Sequence, residues 1–368
     1  MHVGLRRGAS GDRSRRLAAV VAAALAVSVP GCATSSDSNG KVGVSLILKT
    51  LTNPYFVSMA SAAREQSKKD KVSLSVSAGT ADGDTQTQIN AIDTAIARGD
   101  KGIMITSNGN SVNAALRQAK QNGLFVIALD TPTDPVNTAD ITYATDNEQA
   151  GKLVGQYAAA KLAGKHAVIA MLDLYNNQVV SVDVNRDHGF LKGLGIDPGS
   201  TSENAKEAKE GRYSGGTYTI ACHQPTQGAV DGGRTAMEQC LSANPQINVV
   251  YTINEPAGRG AFAALTAAGK ASSVLLVSID GSCQGMQNVK SGEFAADATQ
   301  YPGKMAGLGV SSIAKLARGG PRPSVSSGKA FLDTGTNRVS NDQPRGLPHQ
   351  TPDAAMSACW GSPSGAAT

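Results

Sequence analysis

The chain has no apolar run long enough to cross a bilayer. Its longest, Leu17–Pro30, holds 14 residues, whereas a span needs about 20. A polytopic membrane protein is therefore excluded. Excess charge of one sign is also missing from the body. The formal net charge is +5, but Arg6, Arg7, Arg13, Arg15 and Arg16 against Asp12 place +4 within residues 1–31 and leave +1 elsewhere. A nearly neutral body gives no general electrostatic case for nucleic-acid binding. No Gly-x-Ser-x-Gly elbow, HExxH or Walker loop occurs. Gly258-Arg259-Gly260 lacks the last glycine of a dinucleotide fingerprint and reads as helix packing. No CxxC occurs and no histidine has ligand spacing, and His188 reads as a surface residue. The expectation is a protein without catalytic residue, metal or cofactor. What is present excludes disorder: 40% of the 368 residues are apolar, spread evenly and sufficient for about two domains.

The N-terminus reads as an address. Residues 1–16 are Arg-rich, Leu17–Pro30 is apolar, and Gly31 precedes Cys32. This is the order of a secretory signal peptide. Val29-Pro30-Gly31-Cys32 resembles a bacterial lipobox, which implies lipidation of Cys32 as the mature N-terminus. Pro30 and Val29 are unusual at their places. Residues 33–40 are polar and read as a flexible tether. The expected location is extracytoplasmic, lipid-anchored to the cell membrane. Four cysteines remain, and an even number in an exported chain points to two disulfides. Three pairings exist. Cys222 closes an expected strand and Cys240 lies late in the next helix, which favours Cys222–Cys240. Cys283–Cys359 would then pin the C-terminal tail.

From Lys41 onward, apolar β-rich runs alternate with helical patterns. Val42–Leu48, Val72–Ala78, Gly102–Thr106 and Phe125–Leu129 read as strands. Pro54–Lys68, Asp84–Arg98 and Ser111–Asn122 read as helices. A second series gives strands at His166–Leu172, Thr217–Cys222, Val249–Thr252, Val274–Ile279 and Phe294–Thr299. Its helices fall at Asp146–Leu162, Arg186–Gly193, Val230–Leu241, Pro256–Ala268 and Tyr301–Arg318. Residues 196–216 read as an insertion or long loop, and the tail after Gly319 mostly as loop. Alternation of this kind implies α/β architecture: two doubly wound parallel-sheet lobes. Runs such as VGVSLIL are nearly continuously apolar, as strands buried on both faces should be.

In open parallel sheets, ligands bind beyond the carboxyl ends of the strands. Strand one is followed by Lys49 and then by Asn53-Pro54-Tyr55-Phe56. Asn53 and Pro54 would suit a plain helix start. Yet Tyr55 and Phe56 use two of only 15 aromatic residues, and an amide beside flat rings suits a sugar. Asp130 ends strand four, where it could accept from two neighbouring hydroxyls. Asn254, Asp280 and Gln300 stand at later strand ends, and Arg186 opens the RDHGF segment. A cleft between two lobes would collect this set.

The motifs KTLTNPYF, GIMIT, VIALDTPTDP, YATDNEQAGKLVGQY, RDHGF, TINEP and SIDG occur in order over residues 41–300. Together they resemble the extracytoplasmic sugar-binding proteins of ABC importers, in the ribose-binding class of periplasmic binding proteins, type I. ALDTPTDP, YATDN, LDLY and TINEPAGRGA most resemble its fructose-type branch. The resemblance implies ligand contacts at Lys49, Asn53, Phe56, Asp130, Arg186, Asn254, Asp280 and Gln300. It also implies three chain crossings between lobes, near Tyr143–Asp146, Gln300–Gly303 and Lys329–Asp333. The expected layout is a signal peptide (1–31), a tether (32–40), a first lobe (41–144, completed by about 301–328), a second lobe (145–300, completed by about 329–345) and a tail (346–368). Two departures stand out. Thr131 follows Asp130 where ribose-type members have Arg. His223, Gln224 and Gln227 occupy a loop where many members place an aromatic ring. The implied partners are a monosaccharide or polyol, a permease with its ATPase, and the membrane through the anchor, with no nucleic acid. A sensor or chemoreceptor could replace the permease. A glycosidase using Asp130 and Asp280 and a repressor are the other readings. A repressor needs a helix-turn-helix where the signal peptide stands.

Overall fold

The computed structural model describes residues 41–81 and 83–361. The leader, Cys32 and the tether lie outside the described residues. Among the described residues no helix is long and apolar enough to cross a membrane.

The chain opens with β1 (Val42–Leu48), α1 (Pro54–Lys69), β2 (Val72–Ala78), α2 (Thr85–Arg98), β3 (Gly102–Ile105), α3 (Asn113–Gln121), β4 (Phe125–Leu129) and β5 (Ile141–Ala144). It continues with α4 (Asn147–Leu162), β6 (Ala167–Asp173), α5 (Ser181–Leu194), β7 (Glu210–Arg212), β8 (Thr217–Pro225), α6 (Val230–Ala243), β9 (Val249–Thr252), α7 (Glu255–Ala267), β10 (Leu275–Asp280), α8 (Cys283–Ser291) and β11 (Ala296–Thr299). It ends with α9 (Pro302–Ala317), β12 (Leu332–Asp333), β13 (Arg338–Ser340) and α10 (Pro352–Ala355). Two sheets result. One has the order β12-β5-β4-β3-β1-β2, the other β13-β11-β10-β9-β6-β8-β7. The first is parallel throughout. The second is parallel apart from its edge strands β7 and β13.

Apolar side chains on both faces explain the continuous runs. Leu46, Leu48, Met104 and Leu129 join Met59 of α1 and Val310 of α9 in one core. Their strand neighbours Ile47, Ile103, Ile105 and Val126 face the other way, against Ile92 and Leu116 of α2 and α3. Successive strand residues point to opposite faces, so only a strand covered on both sides needs such a sequence. Each such side chain, fully buried, contributes about 1.5–3 kcal/mol. The second lobe repeats the plan, with Ile169 and Tyr251 on one face and Ala170 and Val250 on the other.

Among the described residues the chain passes between the sheets three times. Residues 145–146 join β5 to α4, and residues 300–301 join β11 to α9. The third passage is later than expected. Leu332 and Asp333 pair with Tyr143 and Ala144 of the first sheet, so the crossing falls at residues 334–337 rather than 329–333. The passages are tied together. Lys329 Nζ donates to Asp146 Oδ2 at 2.7 Å and also contacts Asp333. Thr334 N donates to the Ala144 carbonyl, and Thr299 N to that of Asn337.

Other expectations need correction. β8 runs three residues past Cys222, so His223 and Gln224 lie in a strand, not a loop. α5 starts at Ser181, five residues before Arg186. Residues 210–212 of the presumed loop form β7. α8 was not expected. His188 is buried rather than on the surface, with Nε2 3.0 Å from the Glu203 carbonyl. Gly260 does pack helices: a β-carbon there would stand 1.9 Å from the Val230 carbonyl oxygen.

Candidate functional site

Helix starts position part of the site. Asn53 caps α1, its Oδ1 accepting from Tyr55 N at 2.9 Å. Pro54 fits the first turn because it has no N–H to leave unpaired. The cap turns Tyr55 inward. Asn254 caps α7 in the same way, accepting from Ala257 N, while its Nδ2 donates to the Gly228 carbonyl at 3.0 Å. The Oδ1 of each asparagine is thus engaged in capping. Phe56 is buried in the first-lobe core, its ring edge-on to Tyr55 at 5.4 Å.

The other expected residues form one chain of contacts. Arg186 is 4% exposed. Its Nε donates to Asn147 Oδ1 and its Nη1 to the Ile253 carbonyl, both at 2.8 Å. The same Nη1 lies 3.6 Å from Asp280 Oδ1. Gln300 Nε2 donates to that Oδ1 at 2.9 Å. Gln300 Oε1 is 3.4 Å from the Tyr55 hydroxyl, which donates to Asp130 Oδ1 at 2.9 Å. Thr131 donates to Asp130 Oδ2 at 2.9 Å, and Lys49 Nζ reaches Thr131 Oγ1 at 3.4 Å. Arg186 and Asp280 belong to the second lobe, Gln300 to a crossing, and Tyr55, Asp130 and Lys49 to the first lobe. Asp130 holds φ at +66°, a left-handed conformation uncommon outside glycine and frequent where a site imposes its geometry.

Electrostatics follow burial. Desolvation pushes Asp280 up to about 7, although Arg186 pulls the other way. Tyr55 is raised well above its usual range, first by burial and then by the Asp130 carboxylate. Both groups are neutral more readily than in water, which suits hydrogen bonding to an uncharged polar ligand.

α4 and α5 set the aim of Arg186. Gly151 and Gly155 of α4 face Gly189 and Gly193 of α5. A β-carbon at Gly151 would lie 2.1 Å from the Arg186 carbonyl oxygen, and one at Gly189 2.1 Å from that of Glu148. Only glycine permits this approach.

Both disulfides are present, Cys222–Cys240 and Cys283–Cys359. The second brings in a residue that sequence reasoning missed. Trp360, the only tryptophan, donates from Nε1 to the Asp280 carbonyl at 3.1 Å. Its ring stands edge-to-face with Tyr55 at 5.2 Å. Two signals pointed to it: its adjacency to Cys359, and the position of Cys283 three residues after Asp280.

Asp173, Asp187 and His223 bring one ligating atom each within 4.8 Å of one another. Both ring nitrogens of His223 are already engaged, Nδ1 with Asp173 Oδ2 and Nε2 with Glu207 Oε1, each at 2.7 Å. Burial works against the imidazolium, but these hydrogen bonds and charges outweigh it and push His223 up to about 11. The protonated ring is itself the cation of this cluster.

Two α/β lobes, hinged by three passages and joined by polar groups at their strand ends, define a clamshell ligand-binding protein. Residues 44–321 match the periplasmic binding protein domain, and the chain belongs to that family. It is similar to the ribose import binding protein of Salmonella typhimurium, 27% identical over 310 residues, 83% of this chain and 93% of that one. It also resembles the D-ribose/D-allose-binding protein of Pseudomonas aeruginosa, 25% identical over 317 residues, covering 83% and 91%. A solute-binding protein of Actinobacillus succinogenes, solved with D-allose, superposes with a TM-score of 0.70 at 23% identity, covering 82% and 98%. These relatives are binding proteins, not enzymes, and the glycosidase and repressor readings fall away.

Proposed function

We propose that this protein captures a monosaccharide or polyol between its lobes and delivers it to an ABC permease and its ATPase from the outer face of the cell membrane. The contact chain from Arg186 through Asp280, Gln300 and Tyr55 to Asp130 carries the reading. It sets alternating donors and acceptors of both lobes where hydroxyls of one ligand could bridge them. The ribose- and allose-binding relatives support a sugar. A fructose-type ligand ranks first by the motifs, with polyols and other monosaccharides next. Thr131 in place of arginine argues against ribose itself.

Ligand contacts fall to Lys49, Tyr55, Asp130, Arg186, Asp280 and Gln300, with Asn53, Phe56 and Asn254 shaping the walls. Closure follows because contacts to both lobes form only when they are shut. No bond in the ligand is broken. Cys32 carries the lipid that keeps the protein at the membrane.

Thermal-shift screening against aldoses, ketoses and polyols tests this reading. A true ligand at 100 times its Kd adds about 2.7 kcal/mol of stability. Asp130→Ala and Arg186→Ala should each abolish most of that shift. Truncating a buried charged partner costs about 2–5 kcal/mol, about 30-fold or more in Kd. If both variants keep the wild-type shift, the site is assigned wrongly. Radiolabelled palmitate appearing in wild type and absent from Cys32→Ala checks the anchor.

A further inference from the structure

We propose that the C-terminal tail is a latch: Trp360, riveted to the second lobe, grips Tyr55 of the first lobe and holds the clamshell shut. The proposal rests on the ligand-binding reading above and adds a positioning residue to it.

The described part of the tail is anchored to the second lobe. Cys359 is bonded to Cys283 at the start of α8 and packs with the second-lobe core. Cys283 N donates to the Trp360 carbonyl at 2.9 Å. Trp360 Nε1 donates to the Asp280 carbonyl. Upstream, Gln350 N donates to the Arg338 carbonyl, Lys290 pairs with Asp353 at 2.6 Å, and Ala355 lies in the same core. The very next side chain after Cys359 changes sides. The indole packs against the first-lobe core, beside Tyr55. Two adjacent residues therefore belong to the hydrophobic cores of two different lobes.

This contact differs from the three passages. Those are covalent and persist through any rotation. The indole–phenol contact is noncovalent, so opening the lobes breaks it and closing them restores it. Its position makes it ligand-sensitive. The Tyr55 hydroxyl bonds Asp130, and the carbonyl that receives Trp360 belongs to Asp280. Both carboxylates are proposed ligand contacts, so the latch engages the backbone and side chains that the ligand itself organises. A latch of this design slows release and leaves capture unchanged, because capture begins from the open form.

The test uses the full-length protein and the sugar that gives the largest thermal shift. Since Trp360 is the only tryptophan, emission of the wild type reports the latch directly and should change on ligand addition. Trp360→Ala should raise Kd by about 2- to 10-fold, the size of an edge-to-face aromatic pair. The whole effect should lie in faster dissociation of labelled sugar. Trp360→Phe, which keeps a ring but not the N–H, should fall between. Cys359→Ser should weaken binding in wild type and add nothing in Trp360→Ala, as expected of two residues acting as one unit. Wild-type dissociation in Trp360→Ala, or a loss confined to the association rate, would overturn the latch. Failure of every sugar to bind would sink the ligand reading instead. Small-angle scattering then decides the latch: Trp360→Ala must shift toward a larger radius of gyration, and an unchanged curve refutes it.

Discussion

A methyl group at Gly151 would stand 2.1 Å from the Arg186 carbonyl oxygen. Carbon–oxygen contacts settle at about 3.3 Å or more, so α5 would have to retreat by about 1 Å. Overpacking of this kind costs about 1–3 kcal/mol. Gly155→Ala offers a matched control, since its β-carbon would lie 2.2 Å from the Phe190 carbonyl oxygen, one helical turn away. Thermal or urea unfolding should show similar losses for the two variants. Affinity should separate them. Gly151→Ala displaces the turn that carries Arg186 and stretches its 2.8 Å bonds to Asn147 and Ile253. Loss of one hydrogen bond to a charged group costs about 1.5–3 kcal/mol, so Kd measured by calorimetry should rise at least about 10-fold. Gly155→Ala should change Kd by less than about 3-fold, because it leaves that turn in place. Equal losses of affinity in the two variants would refute the claim that the glycine contact aims Arg186.

Asp280 and His223 should both lose stabilising effect as pH rises, each in its own window. Burial raises Asp280 to about 7, so the folded state keeps a proton that the unfolded chain sheds near its ordinary value. Its contribution to stability therefore falls as pH climbs from about 4 to about 7. Asp280→Asn should erase that decline in urea titrations, and a wild-type slope in the variant would contradict the assignment. His223, raised to about 11, contributes stability in full below its unfolded value near 6.5, and that contribution fades as pH rises through the folded one. His223→Gln should cost about 3–5 kcal/mol at neutral pH, since Asp173 and Glu207 lose a buried partner. A deficit under about 1 kcal/mol would refute the claim that His223 holds the two carboxylates together. Lys329→Ala should cost about 1 kcal/mol or less by unfolding, as a partly exposed pair does, yet widen the range of lobe angles seen by scattering. An unaltered scattering curve would remove Lys329 from the hinge.

Sequence periodicity located most strands of both sheets but missed β5, whose four buried residues, Ile141–Ala144, are too short a run to show a pattern. VGVSLIL could be read because both of its faces are apolar and both are buried. β12 could not, because two residues carry no period and Leu332–Asp333 is a strand only through its pairing with β5. The third crossing, placed by the resemblance at 329–333, fell too early because the pairing of Leu332–Asp333 with β5 keeps the chain in the first sheet. α8 escaped notice because CQGMQNVKS has only a short apolar pattern, and its capping residue Ser282 sits in an ordinary turn sequence. Among the residues of the interlobe contact chain, Tyr55, Asp130, Arg186, Asp280 and Gln300 were singled out because each stands at a strand end or in a motif of its own. Trp360 was overlooked, although the expected Cys283–Cys359 bridge brings it to Asp280, because a lone ring in a loop-like tail carries no periodic signal. His223 was misplaced because a strand extended by CHQP carries three polar or sulfur-bearing residues, and Asp173 and Glu207 supply the partners that make them acceptable inside.

The ammonium of Lys329 clasps one carboxylate at the end of the first passage and another just before the third. A joint fastened in this way is biased, by about 1 kcal/mol or less, toward arrangements that keep both contacts. The more nearly the lobes move as one swing, the more the proposed grips on the cargo are gained or surrendered together. A molecule lacking one hydroxyl would then forfeit the full embrace and not merely one bond, so selectivity in such a device originates at its axle as much as in its jaws.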